Sequence, residues 1–155
     1  MNHVTGIHHT SFTVADLDRS LAFFRDRLGF ELLFVREIRA DYFAAIVGLP
    51  GCAVKAALLR LPGAEHHVEL FQYLTPPTLV ADHRPRPCDA GSHHLALLVT
   101  DLAELCRELR SDGIDLVSDP VAITSGPNTG AQAVYLRDPN GILIELFQPR
   151  PRDAS

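Results

Sequence analysis

Polar and apolar positions follow the same plan twice along this chain. Residues 6–21 read GIHHTSFTVADLDRSL and residues 91–106 read GSHHLALLVTDLAELC. Aligned on their glycines, Gly6 and Gly91, the stretches also match His8 with His93, His9 with His94, Val14 with Val99, Asp16 with Asp101 and Leu17 with Leu102. Further on, GFELL (29–33) falls on GIDLV (113–117), and VELFQYLTP (68–76) resembles IELFQPRP (144–151). Agreement at both ends, in the same order, marks a tandem duplication.

Each copy predicts the same elements. An alternating strand comes first, over about 6–14 and 92–99. A helix follows, over about 17–28 and 102–112, with Leu17, Leu21, Phe24 and Leu28, then Leu102, Leu105, Cys106 and Leu109, at helical spacing. Asp16 and Asp101 stand at N-cap positions, and Gly29 and Gly113 stop the helices. Strands are then predicted at 30–37, 54–61 and 67–73, and at 114–118, 131–137 and 142–148. Each copy is therefore βαβββ. A short helix around Asp41–Leu49 belongs to the first copy only. Pro76, Pro77, Pro85 and Pro87 mark residues 75–90 as the linker. The expected class is α+β: tandem βαβββ modules, about 5–74 and 91–148, forming a cupped, partly open mixed sheet barrel as one domain over 1–155. The tail, 149–155, is expected to be disordered.

Strand parity sorts the chemistry. Phe12 and Val14 share a face with His8, whereas His9 lies opposite with Ser11 and Thr13. In the second copy Leu95, Leu97 and Val99 accompany His93, and His94 lies opposite with Ala96. The closing strands turn His67, Glu69 and Phe71 one way, and Leu143, Glu145 and Phe147 likewise. The more apolar face packs on the helix, so each copy offers one His and one Glu on its other, concave face. A lone strand His or Glu is ordinarily a surface residue or an ion-paired one. Two copies placing the same pair shift the balance, because a carboxylate between apolar neighbours is costly without a partner. If the sheets close on each other, His9, Glu69, His94 and Glu145 meet, a set suited to one divalent metal: Zn, Ni, Co, Mn or Fe(II). His8, His66 and His93 are expected to be neighbours of that set, and His67 an outer partner. His3 and His83 are expected to be exposed.

Composition narrows the classes. The 155 residues are 46% hydrophobic with net charge −5, which excludes a mainly disordered chain. No apolar run is long enough to span a bilayer, and the N-terminus shows no secretory pattern. Three cysteines without close pairing fit a reducing, cytoplasmic setting. An acidic balance without a basic block argues against nucleic acid. The eight histidines stand out, six of them in the pairs His8-His9, His66-His67 and His93-His94.

A tandem βαβββ repeat with H-x6-D-L after each first strand (His9 to Leu17, His94 to Leu102) and x-E-L closing each copy resembles the vicinal oxygen chelate superfamily. That family includes glyoxalase I, methylmalonyl-CoA epimerase, extradiol dioxygenases, fosfomycin-resistance transferases and bleomycin-binding proteins. The stretch YLRDPNGILIEL (135–146) resembles the family's strand-turn-strand motif, and Asn140-Gly141 is a good hairpin turn on its own terms. The family's metal positions fall on His9, Glu69, His94 and Glu145. This implies a lyase or isomerase of the glyoxalase I or epimerase type. In such an enzyme a metal chelates vicinal oxygens of a small substrate, and Glu69 or Glu145 moves a proton through an enediolate-like intermediate. The four-ligand set resembles bacterial glyoxalase I, while the long linker between Glu69 and His94 looks more like the epimerase arrangement. An Fe(II) extradiol-type dioxygenase and a metal-free binding or resistance protein are the alternatives. Phe43, Phe71, Tyr135 and Phe147 are expected to line the substrate pocket, with Phe43 as a lid, and Lys55 or Arg60 to hold an anionic substrate. Exposed sheet edges suggest a homodimer.

Overall fold

The computed structural model describes residues 3–78 and 85–151. The chain divides into two compact units, Met1–Asp82 and His83–Ser155, one for each copy of the repeat. His83 and residues 152–155 lie outside the described residues, as does 79–84 of the linker.

In the first module β1 (His9–Thr13) leads into α1 (Leu17–Leu21), followed by β2 (Glu31–Ile38), α2 (Asp41–Val47), β3 (Ala53–Arg60) and β4 (His67–Thr75). The sheet order is β1-β4-β3-β2. β1 runs parallel to β4, and the remaining pairs are antiparallel. Phe12 of β1 and Val14 just beyond it, Val68 and Leu70 of β4, and Ala57 and Leu59 of β3 are buried with Leu17, Phe23 and Phe24. This is the helix-covered face that the alternation predicts.

The second module repeats the plan. β5 (His94–Leu98) is followed by α3 (Leu102–Ser111), β6 (Asp115–Leu116), β7 (Val121–Ala122), β8 (Gln132–Arg137) and β9 (Leu143–Gln148). The order is β5-β9-β8-β6, with β7 also on β8, and β5 is parallel to β9. Leu102, Cys106 and Leu109 of α3 are buried, as are Leu136, Ile144 and Leu146. The three cysteines are free thiols.

The caps fall where the sequence places them. Asp16 Oδ1 accepts from the Arg19 amide at 3.0 Å and Asp101 Oδ1 from the Glu104 amide at 3.3 Å. A second cap in each module comes from the closing strand. Gln72 Oε1 accepts from the Leu17 amide at 3.1 Å, and Gln148 Oε1 accepts from the Leu102 amide at 2.6 Å. First-turn amides have no partner within the helix, so each glutamine fastens its helix to its sheet.

Two expectations need correction. The first helix is α-helical only to Leu21, and Ala22–Arg27 is wound as a π-helix. That widened turn accompanies two adjacent aromatics that both face the core, Phe23 edge-on to Phe24 at 5.2 Å and Phe24 edge-on to Phe30 at 5.6 Å. In the second module the strand expected at 114–118 is shortened to β6, and a further short strand that was not expected, β7, follows it. Pro120, between them, has no amide to give to a ladder. The expected short helix at Asp41 is present as α2.

The β8–β9 turn is built on Asp138, which is 3% exposed. Its Oδ1 accepts from the amides of Asn140 and Ile142, both at 2.8 Å. Burial pushes its carboxyl up, against the pull of these hydrogen bonds. Gly141, at φ 89°, takes the left-handed position that a side chain would strain.

Candidate metal centre

Register sets the face that carries the chemistry. In the first module His9 stands beside His67 and Ser11 beside Glu69. Across β3, Glu69 is paired with Leu58, Phe71 with Ala56 and Tyr73 with Val54. In the second module His94 stands beside Leu143, Ala96 beside Glu145, and Tyr135 opposite Glu145. The two faces are thus copies of one another, with residues exchanged at defined points.

On each face the histidine reaches the glutamate. His9 Nε2 lies 3.4 Å from Glu69 Oε2, with side chains 38% and 19% exposed. His94 Nε2 lies 3.1 Å from Glu145 Oε2, at 40% and 19%. Both carboxylates are largely withdrawn from water, and both imidazoles stay accessible. The four residues singled out from the sequence are therefore present as two pairs, one in each module. Among the described residues no three or more His, Cys, Asp or Glu side chains are placed together so as to hold a metal ion.

The surroundings of the pairs differ. Tyr135 places its hydroxyl 3.5 Å from His94 Nε2, its ring edge-on to the imidazole at 5.1 Å. Burial, and then the charge and hydrogen bond of Glu145, raise the Tyr135 phenol above its ordinary value, so it stays protonated and able to donate. Leu58, which has no donor, takes the matching place beside Glu69. His8 Nδ1 meets His9 Nδ1 at 2.7 Å, whereas His93 turns Nδ1 to the Gly91 carbonyl at 3.3 Å. His66 Nε2 bonds Thr10 Oγ1 at 2.9 Å, and His3 is exposed.

The predicted pocket residues divide the same way. Phe71 follows Glu69 on the inward face and meets Phe43 of α2 at 5.4 Å and Tyr73 at 6.4 Å. Phe43 belongs to a small apolar cluster with Ile38, Ala44, Cys52, Val54 and Ala56. It is thus a packed wall on the face beyond Glu69, in a place where the sequence suggested a lid. In the second module Phe147 pairs with Ala133 and is half-buried. Arg60 is paired with His67 and so shares its row, while Lys55 is paired with Gln72 on the opposite, helix-side parity. The inward cation of the two is Arg60, which also bonds Glu31 at 3.1 Å.

What sequence reading missed is Gln72 and Gln148. They sit three residues after each glutamate, and their parity faces the helix. The repeated ELFQ tetrapeptide was the available signal: its glutamate and phenylalanine face inward, and its glutamine holds the helix.

The donor set fits a divalent metal. Each face supplies one imidazole nitrogen and one carboxylate oxygen, the pairing that borderline cations take.

Comparison with known proteins gives the family and the fold. A family profile described as the Glyoxalase/Bleomycin resistance protein/Dioxygenase superfamily matches residues 6–146. The chain belongs to that superfamily. It is 36% identical over 148 residues to a 2-epi-5-epi-valiolone epimerase from Actinomyces sp, covering 91% of this chain and 78% of that protein. It is 29% identical over 150 residues to a lactoylglutathione lyase from Salmonella typhimurium, covering 92% and 91%. A crystal structure of a glyoxalase family protein from Bacillus cereus superposes with a TM-score of 0.84 at 28% identity, covering 97% of each chain. The first two of these relatives are named as enzymes, and the fold of this chain is that of the glyoxalase family protein. No described helix is long and apolar enough to cross a membrane.

Proposed function

We propose that this chain is a divalent-metal-dependent enzyme that removes and returns a proton at a carbon next to two adjacent oxygens of a small substrate. The observation that carries the reading is the duplicated pair: one imidazole and one carboxylate, 3.4 and 3.1 Å apart, at matched positions of the two modules. His9, Glu69, His94 and Glu145 would hold the metal. When bound it supplies Lewis-acid polarisation of the substrate oxygens, which acidifies the neighbouring C–H bond.

The residues divide the remaining work. Glu145 has the Tyr135 hydroxyl beside it as a hydrogen-bond partner. Glu69 faces Leu58, which offers no donor to its carboxylate, so Glu69 is assigned the step that takes the proton from carbon. Glu145, entering the step protonated, is the candidate to return one; Glu145 is then left ionised and Glu69 protonated, and the product is an epimer when the return comes on the opposite side. The epimerase relative supports this outcome over a lyase. Phe71, Phe43 and Leu58 would pack the carbon skeleton of the substrate.

The test is exchange of a substrate C–H for solvent deuterium, followed by NMR. The substrates are 2-epi-5-epi-valiolone and the hemithioacetal of methylglyoxal and glutathione, with cobalt, nickel, zinc or manganese added. Exchange that disappears in Glu69→Gln supports the assignment. No exchange with either compound, together with oxygen uptake on catechol and iron, would replace it with a dioxygenase.

We also propose a homodimer. β2 is an edge strand, and its Leu33, Phe34 and Val35 are exposed. Light scattering on purified protein reads the mass directly, and a monomer at micromolar concentration would overturn this.

A further inference from the structure

The two modules treat their histidines differently, and the difference lies on the side facing away from the glutamate. His9 uses both ring nitrogens: Nε2 faces Glu69 Oε2 at 3.4 Å, and Nδ1 faces His8 Nδ1 at 2.7 Å. A hydrogen bond between two like nitrogens needs one donor and one acceptor, so one proton lies between the rings. The His8 ring stands edge-on to His9, with centroids 5.0 Å apart and planes 83° apart. His8 is itself seated on His67, stacked at 6.0 Å with planes 27° apart. His67 is the strand neighbour of His9. In the second module His93 turns its Nδ1 to a carbonyl, and Leu143 occupies the place of His67. The imidazole-on-imidazole support is therefore a feature of the first module.

We propose that His8, braced by His67, is a positioning residue that fixes the ring and tautomer of His9 for metal ligation. This rests on the reading of His9 as a ligand. A metal taken at Nε2 needs that lone pair free, which puts the ring proton on Nδ1. His8 Nδ1 then accepts it and holds the ring plane. Histidine ligands are commonly held this way, with the second nitrogen donating to an outer acceptor, and loss of such an acceptor weakens metal binding about 10–100-fold. Without it the His9 ring is free to turn about its Cβ–Cγ bond.

The experiment is cobalt(II) titration of the full chain, read by visible absorption, on wild type and on His9→Ala, His8→Phe, His8→Asn and His93→Phe. Nitrogen-15 NMR of the zinc-loaded proteins reads the His9 tautomer. His8→Phe should raise the cobalt Kd about 10–100-fold and lose the single Nδ1–H tautomer of His9. His8→Asn, whose side-chain oxygen accepts the same hydrogen bond, should restore most of the affinity. His93→Phe should bind as wild type does. If His9→Ala binds cobalt as tightly as wild type, the ligand reading fails and this proposal goes with it. If His9→Ala loses cobalt but His8→Phe does not, only the positioning role is overturned. The same holds if His8→Asn loses as much as His8→Phe, because the acceptor would then be irrelevant.

Discussion

Replacing Gln148 with Met keeps the length of the side chain and removes its acceptor. The Leu102 amide, on a fully buried residue at the start of α3, then loses the 2.6 Å hydrogen bond it makes to Gln148 Oε1. A buried donor left without a partner costs about 1–3 kcal/mol. For a chain of this length about 1 kcal/mol moves Tm by roughly 2–4 °C, so Gln148→Met should melt about 2–12 °C below wild type. Gln148→Glu is the discriminating control. It keeps an oxygen at the same reach and adds charge at a helix N-terminus, worth about 0.3–1 kcal/mol in favour. Its Tm at pH 7 should match or exceed wild type. Thermal unfolding by far-UV circular dichroism reads all three proteins. The equivalent change, Gln72→Met, acts on the longer 3.1 Å bond of the first module and should cost the same or less. An unchanged Tm in Gln148→Met, or equal losses in the Met and Glu variants, would refute the idea that these glutamines seat the helices.

Three further outcomes are expected. Asp138→Ala deprives two backbone amides of their acceptor and should cost about 2–4 kcal/mol in urea unfolding, twice the penalty of one orphaned donor at its lower range. Asp138→Asn keeps that acceptor and tests the charge. The folded protein holds the Asp138 proton more tightly than the unfolded chain does, so the contribution of this group to stability falls as pH rises from the ordinary carboxyl value of 3.8 towards the raised one. Urea midpoints of Asp138→Asn should therefore gain on wild type across that interval. Leu59→Ala, at a fully buried site, should cost about 2–5 kcal/mol, whereas Ile46→Ala, at an exposed one, should stay within about 0.5 kcal/mol in the same assay. Glu145→Gln and His94→Ala should each sharply lower the metal content found by elemental analysis, and His93→Ala should leave it nearly intact.

Much of this fold could be read from the residues. The repeat gave the number of modules, Asp16 and Asp101 gave the helix starts, and alternation gave the buried face with Phe12 and Val14 on it. Parity also paired His9 with Glu69 and His94 with Glu145, because strand side chains alternate whatever the sheet around them does. Three things were not legible. The π-helical stretch depends on how Phe23 and Phe24 pack against Phe12 and Phe30, which are distant neighbours that a helical period does not see. The break between β6 and β7 depends on which amides the ladder needs at Pro120. Parity was silent on where ring nitrogens point, so His8 read as a bystander until its Nδ1 was located against that of His9. The choice between Lys55 and Arg60 needed the register of β3 on β4, which places Arg60 beside His67 and turns Lys55 away.

The glutamine caps also bear on how this gene can be cut. Each one joins a helix to the last strand of its own copy, and every strand pairing in either sheet likewise begins and ends within one copy. The internal wiring of a half is complete before the linker is reached. Among the described residues, separating the two copies severs no ladder and unseats no helix. One fragment for each copy is accordingly the natural way to divide the polypeptide for complementation.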